Sequence, residues 1–460
     1  MLTVTDPSTG EVVSEQPAAT AAEVEAVLAA AEAAREPWVA RGLEGRAQVL
    51  HAVAAHLRAH VEDLAPLMTL EMGKPITEAR GEVEKAAWCA EHYAEHAAAY
   101  LADEVIASDA TRSYVQHLPL GTVLGILPWN APFWLALRFA APALMAGNTC
   151  VLKHDPHVPG CAAAIGQVFA HVLAEAGAPA GVFANLPLET ADVADVVRDR
   201  RVQAVSFTGS ARGGAAVAAV AAGEIKPAVL ELGGSDPCIV LADADLDAAA
   251  DVITTSRIIN AGQSCIAAKR IIVEAPVHDE LVDRLRVRLA KLVVGDPREA
   301  QTQVGPIARA DLRDTLHRQV TETVAAGASL LLGGELPDGP GYFYPPTLLA
   351  GVTDRMPAAC EETFGPVMVV MRAADAEDAL ARANDTDYGL AASVWTTAER
   401  GEELARRIAA GQVSVNGIVK TDPRLPSGGI KRSGYGRELG PHGIKEFVNA
   451  QQVWVGPRRG

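Results

Sequence analysis

Apolar residues in the first hundred positions recur every three or four residues, the spacing that lines one face of a helix. In "TAAEVEAVLAAAEAAREPWVA" the stripe is Val24, Val27, Leu28 and Ala31. Thr20, with Glu23 three residues on, has the form of an N-terminal capping box. "GRAQVLHAVAAHLRAHVEDLAPLMTLEMGKP" keeps the same period until Gly73 and Pro75 close it, and "EVEKAAWCAEHYAEHAAAYLADE" predicts a third helix. The pattern then changes. "RSYVQHLPLGTVLGILPWN" alternates and is β-branched, which predicts strands. From there strands and helices take turns: the strand "TCVLKH", a helix over about 161–176, the strand "GVFANLP", the helix "ETADVADVVRDR", the strand "VQAVSFTGS", the helix "ARGGAAVAAVAA" and the strand "PAVLELGG". Such alternation predicts a doubly wound, mostly parallel sheet, which binds ligands at the carboxyl ends of its strands. A second α/β block follows, with "AAKRIIVEA" and "QVSVNG" as strands and "PVHDELVDRLRVRLAKL" and "AEDALARAN" as helices. "LLGGELPDGPGYFYPPT" predicts a long surface loop.

The chain has 460 residues, enough for two or three domains or one large α/β domain with additions. A net charge of −17 argues against nucleic acid and anionic membrane surfaces, both of which select cationic partners. "AAVAAVAAGEIKPAVL", the nearest approach to a membrane span, is broken by Gly223, Glu224, Lys226 and Pro227. The opening "MLTVTDPSTGEVVSEQP" lacks the basic start and apolar core of a signal peptide. The six cysteines, at 89, 150, 161, 238, 265 and 360, show neither a CxxC pair nor zinc spacing. The expectation is a reduced, cytoplasmic protein with no disulfide and no metal.

Cys265 stands apart from the other cysteines. In "INAGQSCIAAKR" it lies among small and polar neighbours, which suits a reactive thiol better than a packed one. Cys150 and Cys238 lie in apolar runs and read as core. "SFTGSARGG" runs a strand into Gly209 and Ser210 and then a helix, which is either a phosphate-binding turn or a plain tight turn. Its spacing is not GxGxxG. Glu231 in "LELGGSDP" reads as a general base or as a solvated strand-end acid. Asn130 in "LPWNAP" could donate to an oxyanion or simply shape a turn before Pro132. Lys153 in "CVLKHDP" could bind ribose or phosphate, or be an ordinary surface lysine.

Taken in order, "PWN", "SFTGS", "LELGG", "GQSC" and "EETFGP" resemble the aldehyde dehydrogenase superfamily, from the N-terminal helices to "FVNAQQVWV". The resemblance implies an α/β fold of two doubly wound domains with a β extension. Residues 1–103 and 121–233 would form a dinucleotide-binding domain and 234–447 a catalytic domain. Residues 104–120 and 448–460 would form an oligomerisation element, giving a homodimer or homotetramer. It implies Cys265 as nucleophile, Glu231 as the base for deacylation and Asn130 as oxyanion donor. Lys153 and Glu362 match ribose-binding positions, and Gly209 and Ser210 match the turn under the pyrophosphate. Trp129 and Phe364 match apolar positions beside the site. Ala267 leaves no partner for a local disulfide with Cys265.

"PWNAPFWLALRFAAPALMAGN", "LELGGSDP", "GQSCIAAKR" and "LPSGGIKRSGYGREL" are most similar to NADP-using bacterial succinate semialdehyde dehydrogenases. Arg138, with Trp134 beside it, matches a position that holds a substrate's distal carboxylate, though a structural ion pair is the alternative. A second arginine expected before "NAGQ" is replaced by Ile259, and Arg257 is out of step. Glutarate semialdehyde or an aromatic aldehyde remain alternative substrates, and a catalytically silent binding protein is the alternative of another class. For the cofactor, NAD-preferring relatives carry a glutamate three residues after the lysine, where this chain has Pro156. That favours NADP with NAD possible. His154 and His157 could tolerate a 2′-phosphate, and Asp155 argues the other way.

Overall fold

The structure is a computed structural model that describes residues 1–456. Thr20 caps the first long helix, Ala21–Ala40. Its hydroxyl accepts from the Glu23 N–H at 3.3 Å, and the Glu23 carboxylate accepts from the Thr20 N–H at 2.7 Å. Leu28, Ala31, Ala34 and Trp38 form the buried face, with Val24 and Val27 at its edge. The next apolar stripe is two helices, Gly42–Ala59 and Val61–Met72, because the backbone at His60 leaves the helical range. Gly73, at φ 75°, ends the second. Helix Ile76–Tyr100 packs against Gly42–Ala59 on one side and Pro132–Met145 on the other. An N-terminal hairpin, Leu2–Asp6 with Glu11–Gln16, has no sequence expectation behind it. Its second strand is almost wholly exposed and so carries little apolar alternation.

The first sheet has six strands in the order Gly434–Tyr435, Ala228–Glu231, Val202–Thr208, Thr122–Leu127, Thr149–His154 and Phe183–Asn185. Its last five strands are parallel, and apolar clusters cover both faces. Gly434–Tyr435 is antiparallel and closes the edge beside Glu231. This short strand lies within the stretch 234–447 assigned by sequence to the other block. Two residues have no periodicity, so nothing local marks their sheet.

The second sheet has seven strands in the order Ser329–Leu332, Thr347–Ala350, Val367–Ala373, Arg270–Glu274, Pro237–Val240, Ala391–Trp395 and Gln412–Val415. Only the first is antiparallel. A separate three-stranded sheet joins Glu104–Val105, Arg112–Pro119 and Val448–Val455. Residues 457–460, the end of the stretch 448–460, lie outside the described residues. No helix among the described residues is long and apolar enough to cross a membrane.

Candidate active site

In the first sheet the chain order reverses between Thr122–Leu127 and Val202–Thr208, and such a switch point opens a ligand crevice at the carboxyl ends. The motifs read from the sequence sit there. Thr122–Leu127 runs into Trp129 and Asn130, and Val202–Thr208 into Gly209 and Ser210. Lys153 lies near the end of Thr149–His154, and Glu231 closes Ala228–Glu231. Ser210 caps helix Ala211–Gly223, its Oγ accepting from the Gly213 N–H at 3.2 Å. The Gly209 N–H donates to the Glu231 carbonyl at 3.0 Å, tying two strand ends together. Lys153 is buried, which lowers its pKa against the opposing pull of Asp155.

The second sheet presents its amino ends to this crevice. Cys265 lies in the turn just before strand Arg270–Glu274, and Glu362 and Phe364 lie just before Val367–Ala373. The Trp129 ring meets Phe364 edge-on, with centroids 5.8 Å apart. The Asn130 amide donates to the Gln263 carbonyl at 3.1 Å, which places it against the Cys265 loop. Glu362 Oε1 accepts from the Gly234 N–H at 3.1 Å and from Lys269 Nζ at 2.9 Å.

The backbone before Cys265 is unusual. Asn260, Ala261 and Gly262 all have positive φ, at 55°, 52° and 76°. Two of the three are not glycine, a conformation that persists only when its surroundings fix it. Those surroundings are visible. The Glu78 carboxylate accepts from the Asn260 N–H at 2.7 Å, and Asn260 Nδ2 donates to the carbonyls of Asn130 and Gln263. Arg257, fully buried, donates to the carbonyls of Gly262 and Thr363, each at 3.0 Å, and to that of Gly365. It thus ties the Cys265 loop to the Glu362 loop and does not face a substrate. Lys269, also fully buried, donates to the Cys265 carbonyl at 2.6 Å. Lys74 donates to the Asn130 carbonyl at 2.9 Å and pairs with Glu82.

Burial pushes the Cys265 thiol up to about 11, against the pull of Lys269 and Arg138; Glu362 and Asp236 add to the rise. Burial also pushes Glu231 up to about 8, with Arg138 opposing and Glu438 adding to the rise. Glu231 Oε1 has no hydrogen-bond partner among the described residues.

Arg138 is the charge between these groups. Its side chain is buried, its Nε pairs with Glu438, and its Nη2 lies 4.0 Å from Glu231 Oε2. An arginine kept free for substrate is therefore not what the structure holds. A guanidinium buried in so apolar a helix needs a resident carboxylate, and Glu438 supplies one. Trp134, one turn earlier, is buried with Lys85 Nζ 4.1 Å from its ring centroid.

After Lys153 the side chains diverge. His154 is buried, its Nε2 is 3.0 Å from the Pro132 carbonyl, and burial holds its pKa at about 4. It is neutral and turned inward, so it cannot meet a 2′-phosphate. Asp155 Oδ1 is 2.6 Å from His157 Nδ1 and accepts from the His157 N–H at 3.0 Å. Pro156 follows half-buried in the same turn.

The sequence profile of the aldehyde dehydrogenase family matches residues 1–453. The chain belongs to the aldehyde dehydrogenase family. Among its relatives in that family, a probable succinate-semialdehyde dehydrogenase [NADP(+)] of Synechocystis is 48% identical, over 98% of each chain. A succinate semialdehyde dehydrogenase [NAD(P)+] of Escherichia coli is 46% identical, over 98% of this chain and 96% of its own. The crystal structure of a Streptococcus pyogenes succinic semialdehyde dehydrogenase with NADP+ superposes with a TM-score of 0.95. It is 36% identical and covers 99% of this chain and 100% of its own. Lys153, Pro156, Trp134 and Arg138 lie outside the five aldehyde dehydrogenase motifs, which carry the other site residues singled out in the sequence. What they do not carry is the supporting set of Glu78, Lys85, Lys269 and Glu438. Of these only Lys269 and Glu438 stood inside quoted motifs, "GQSCIAAKR" and "GYGREL", and neither had a spacing that named its partner.

Proposed function

We propose that this chain oxidises succinate semialdehyde to succinate with NADP, with NAD as a second cofactor. The observation that carries the reading is the convergence of Cys265, Asn130 and Glu231 where the two sheets meet. The similarity to succinate semialdehyde dehydrogenases supports the choice of substrate.

The crevice fits a dinucleotide. Helix Ala211–Gly223 offers its capped N-terminus to a pyrophosphate. Lys153 and Glu362 offer a cation and a carboxylate to ribose hydroxyls. With Asp155 Oδ1 occupied by His157, the negative charge beside Lys153 is partly compensated, which suits a 2′-phosphate. A bound nicotinamide supplies the hydride acceptor.

Cys265 gives up its proton to solvent and its thiolate adds to the aldehyde carbon, forming a thiohemiacetal. The Asn130 amide and the Cys265 N–H receive the oxyanion. Loss of hydride from that carbon leaves a thioester on Cys265. Glu231, ionised, takes a proton from water, whose oxygen attacks the thioester; the C–S bond breaks and the Cys265 thiolate leaves. Succinate is released.

The chain is further proposed to be a cytoplasmic homodimer or homotetramer. Val105, Leu118, Trp454 and Val455 stand exposed on the three-stranded sheet, which is the surface such an assembly would use. A panel of succinate semialdehyde, glutarate semialdehyde, benzaldehyde and butanal, each with NADP and with NAD, tests the reading. The highest kcat/KM is expected for succinate semialdehyde with NADP. Faster oxidation of benzaldehyde would overturn the substrate, and no oxidation of any aldehyde would overturn the activity.

A further inference from the structure

Lys85 lies on helix Ile76–Tyr100, facing helix Pro132–Met145. Its ammonium sits over the Trp134 ring and donates to Thr421 Oγ1 at 2.7 Å. An ammonium has three N–H donors, so one hydroxyl and a ring face leave it under-satisfied. Among the described residues no carboxylate lies within ion-pair distance of it. The carboxylates that influence it are already engaged. Glu82 pairs with Lys74 and accepts from the N–H groups of Phe133 and Trp134. Asp422 is held by Arg424 at 2.6 Å.

Trp134 and Arg138 are four residues apart, so they share one face of their helix. Lys85 stands over the first of them, and the second acts electrostatically on Cys265, Glu231 and Lys85 alike. A cation without an anion, next to an aromatic ring and one helical turn from the charge that influences the nucleophile, has the form of an anion subsite. Arg138 is largely compensated by Glu438, which leaves Lys85 as the uncompensated charge of the two.

We propose that Lys85 binds the distal carboxylate of the substrate, over the face of Trp134. It would thereby fill the role left open by Ile259. The proposal rests on the semialdehyde reading above and assigns the cation that makes the choice. The state of Lys85 agrees with it. Burial pulls its pKa down to about 8, with Arg138 adding to the fall, while Glu82, Cys89 and Asp422 oppose it. A carboxylate arriving at the ammonium reverses that pull.

The test compares kcat/KM for succinate semialdehyde and for butanal, an uncharged aldehyde of equal chain length. Lys85→Met keeps length and contact with Trp134 but removes the charge. It should lower kcat/KM for succinate semialdehyde at least about 20-fold, chiefly through KM, and that for butanal far less. Lys85→Arg should retain most of the discrimination. Succinate affinity, measured by calorimetry on the folded variants, should fall with the charge, so the proposal is checked even if turnover is impaired. Equal losses for both aldehydes, or succinate binding unchanged in Lys85→Met, would overturn it. A wild-type enzyme that did not discriminate between the two aldehydes would instead overturn the semialdehyde reading.

Discussion

Arg138 and Glu438 form a buried ion pair across three hundred residues of chain, and the same guanidinium lies 4.0 Å from Glu231 Oε2. Removing one partner of such a pair leaves a buried charge uncompensated, at a cost of roughly 3–5 kcal/mol. Arg138→Met should therefore lower Tm clearly, and Arg138→Met/Glu438→Gln should recover much of the loss. Thermal melts of the two singles and the double check this. Additive losses would show that the pair contributes no coupling.

The same three groups should set the pH dependence of turnover. In the proposed mechanism Glu231 acts as a base in its ionised form, and its pKa is pushed up to about 8, so deacylation should rise with pH through that region. Glu438 raises that pKa. Glu438→Gln should therefore lower it and move the limb to lower pH. The readout is the pH profile of the pre-steady-state burst and steady rate, and an unmoved limb would separate Glu231 from Glu438.

Cys265→Ala should abolish aldehyde oxidation while cofactor binding persists, since alanine offers no nucleophile. Glu231→Gln should instead stall after the hydride step, with acyl-enzyme visible by intact mass. Near-wild-type turnover in Cys265→Ala would refute the mechanism.

Glu78 provides a stability test. Burial raises its pKa from 4.5 to about 7, with the Asn260 N–H and Lys74 opposing. Between those values the folded state holds a proton that the unfolded state has lost, so stability falls as pH rises through that window and levels off above about 7. Glu78→Gln retains an acceptor for the Asn260 N–H without the ionisation. Its advantage over wild type should be absent near pH 4.5, grow to at most roughly 3 kcal/mol by pH 7, and stay constant beyond. Melting curves across pH 5–9 measure it.

His157 shields Asp155 at a distance of 2.6 Å. His157→Ala frees that carboxylate beside the proposed 2′-phosphate site. The ratio of kcat/KM with NADP to that with NAD should fall, and Asp155→Asn should raise it. Side-by-side kinetics with the two cofactors decide.

Local pattern carried much of this protein. The Thr20–Glu23 box, the helix stripes and the β-branched runs are properties of neighbours a few residues apart, and they appear in the fold, except that the second stripe is broken into two helices at His60. The strand-end motifs also place themselves, because a doubly wound sheet sends every carboxyl end to one edge. Tertiary structure decided which charges meet. Glu438 reaches Arg138, and Glu78 reaches Asn260, only because helices and sheet edges distant in sequence pack together, and no spacing encodes that. It also decided that His154 turns inward to Pro132, and that two residues other than glycine hold positive φ before Cys265. A left-handed backbone at Asn260 and Ala261 costs free energy locally, and the Glu78 carboxylate and Asn130 carbonyl that help hold it in place come from elsewhere in the chain.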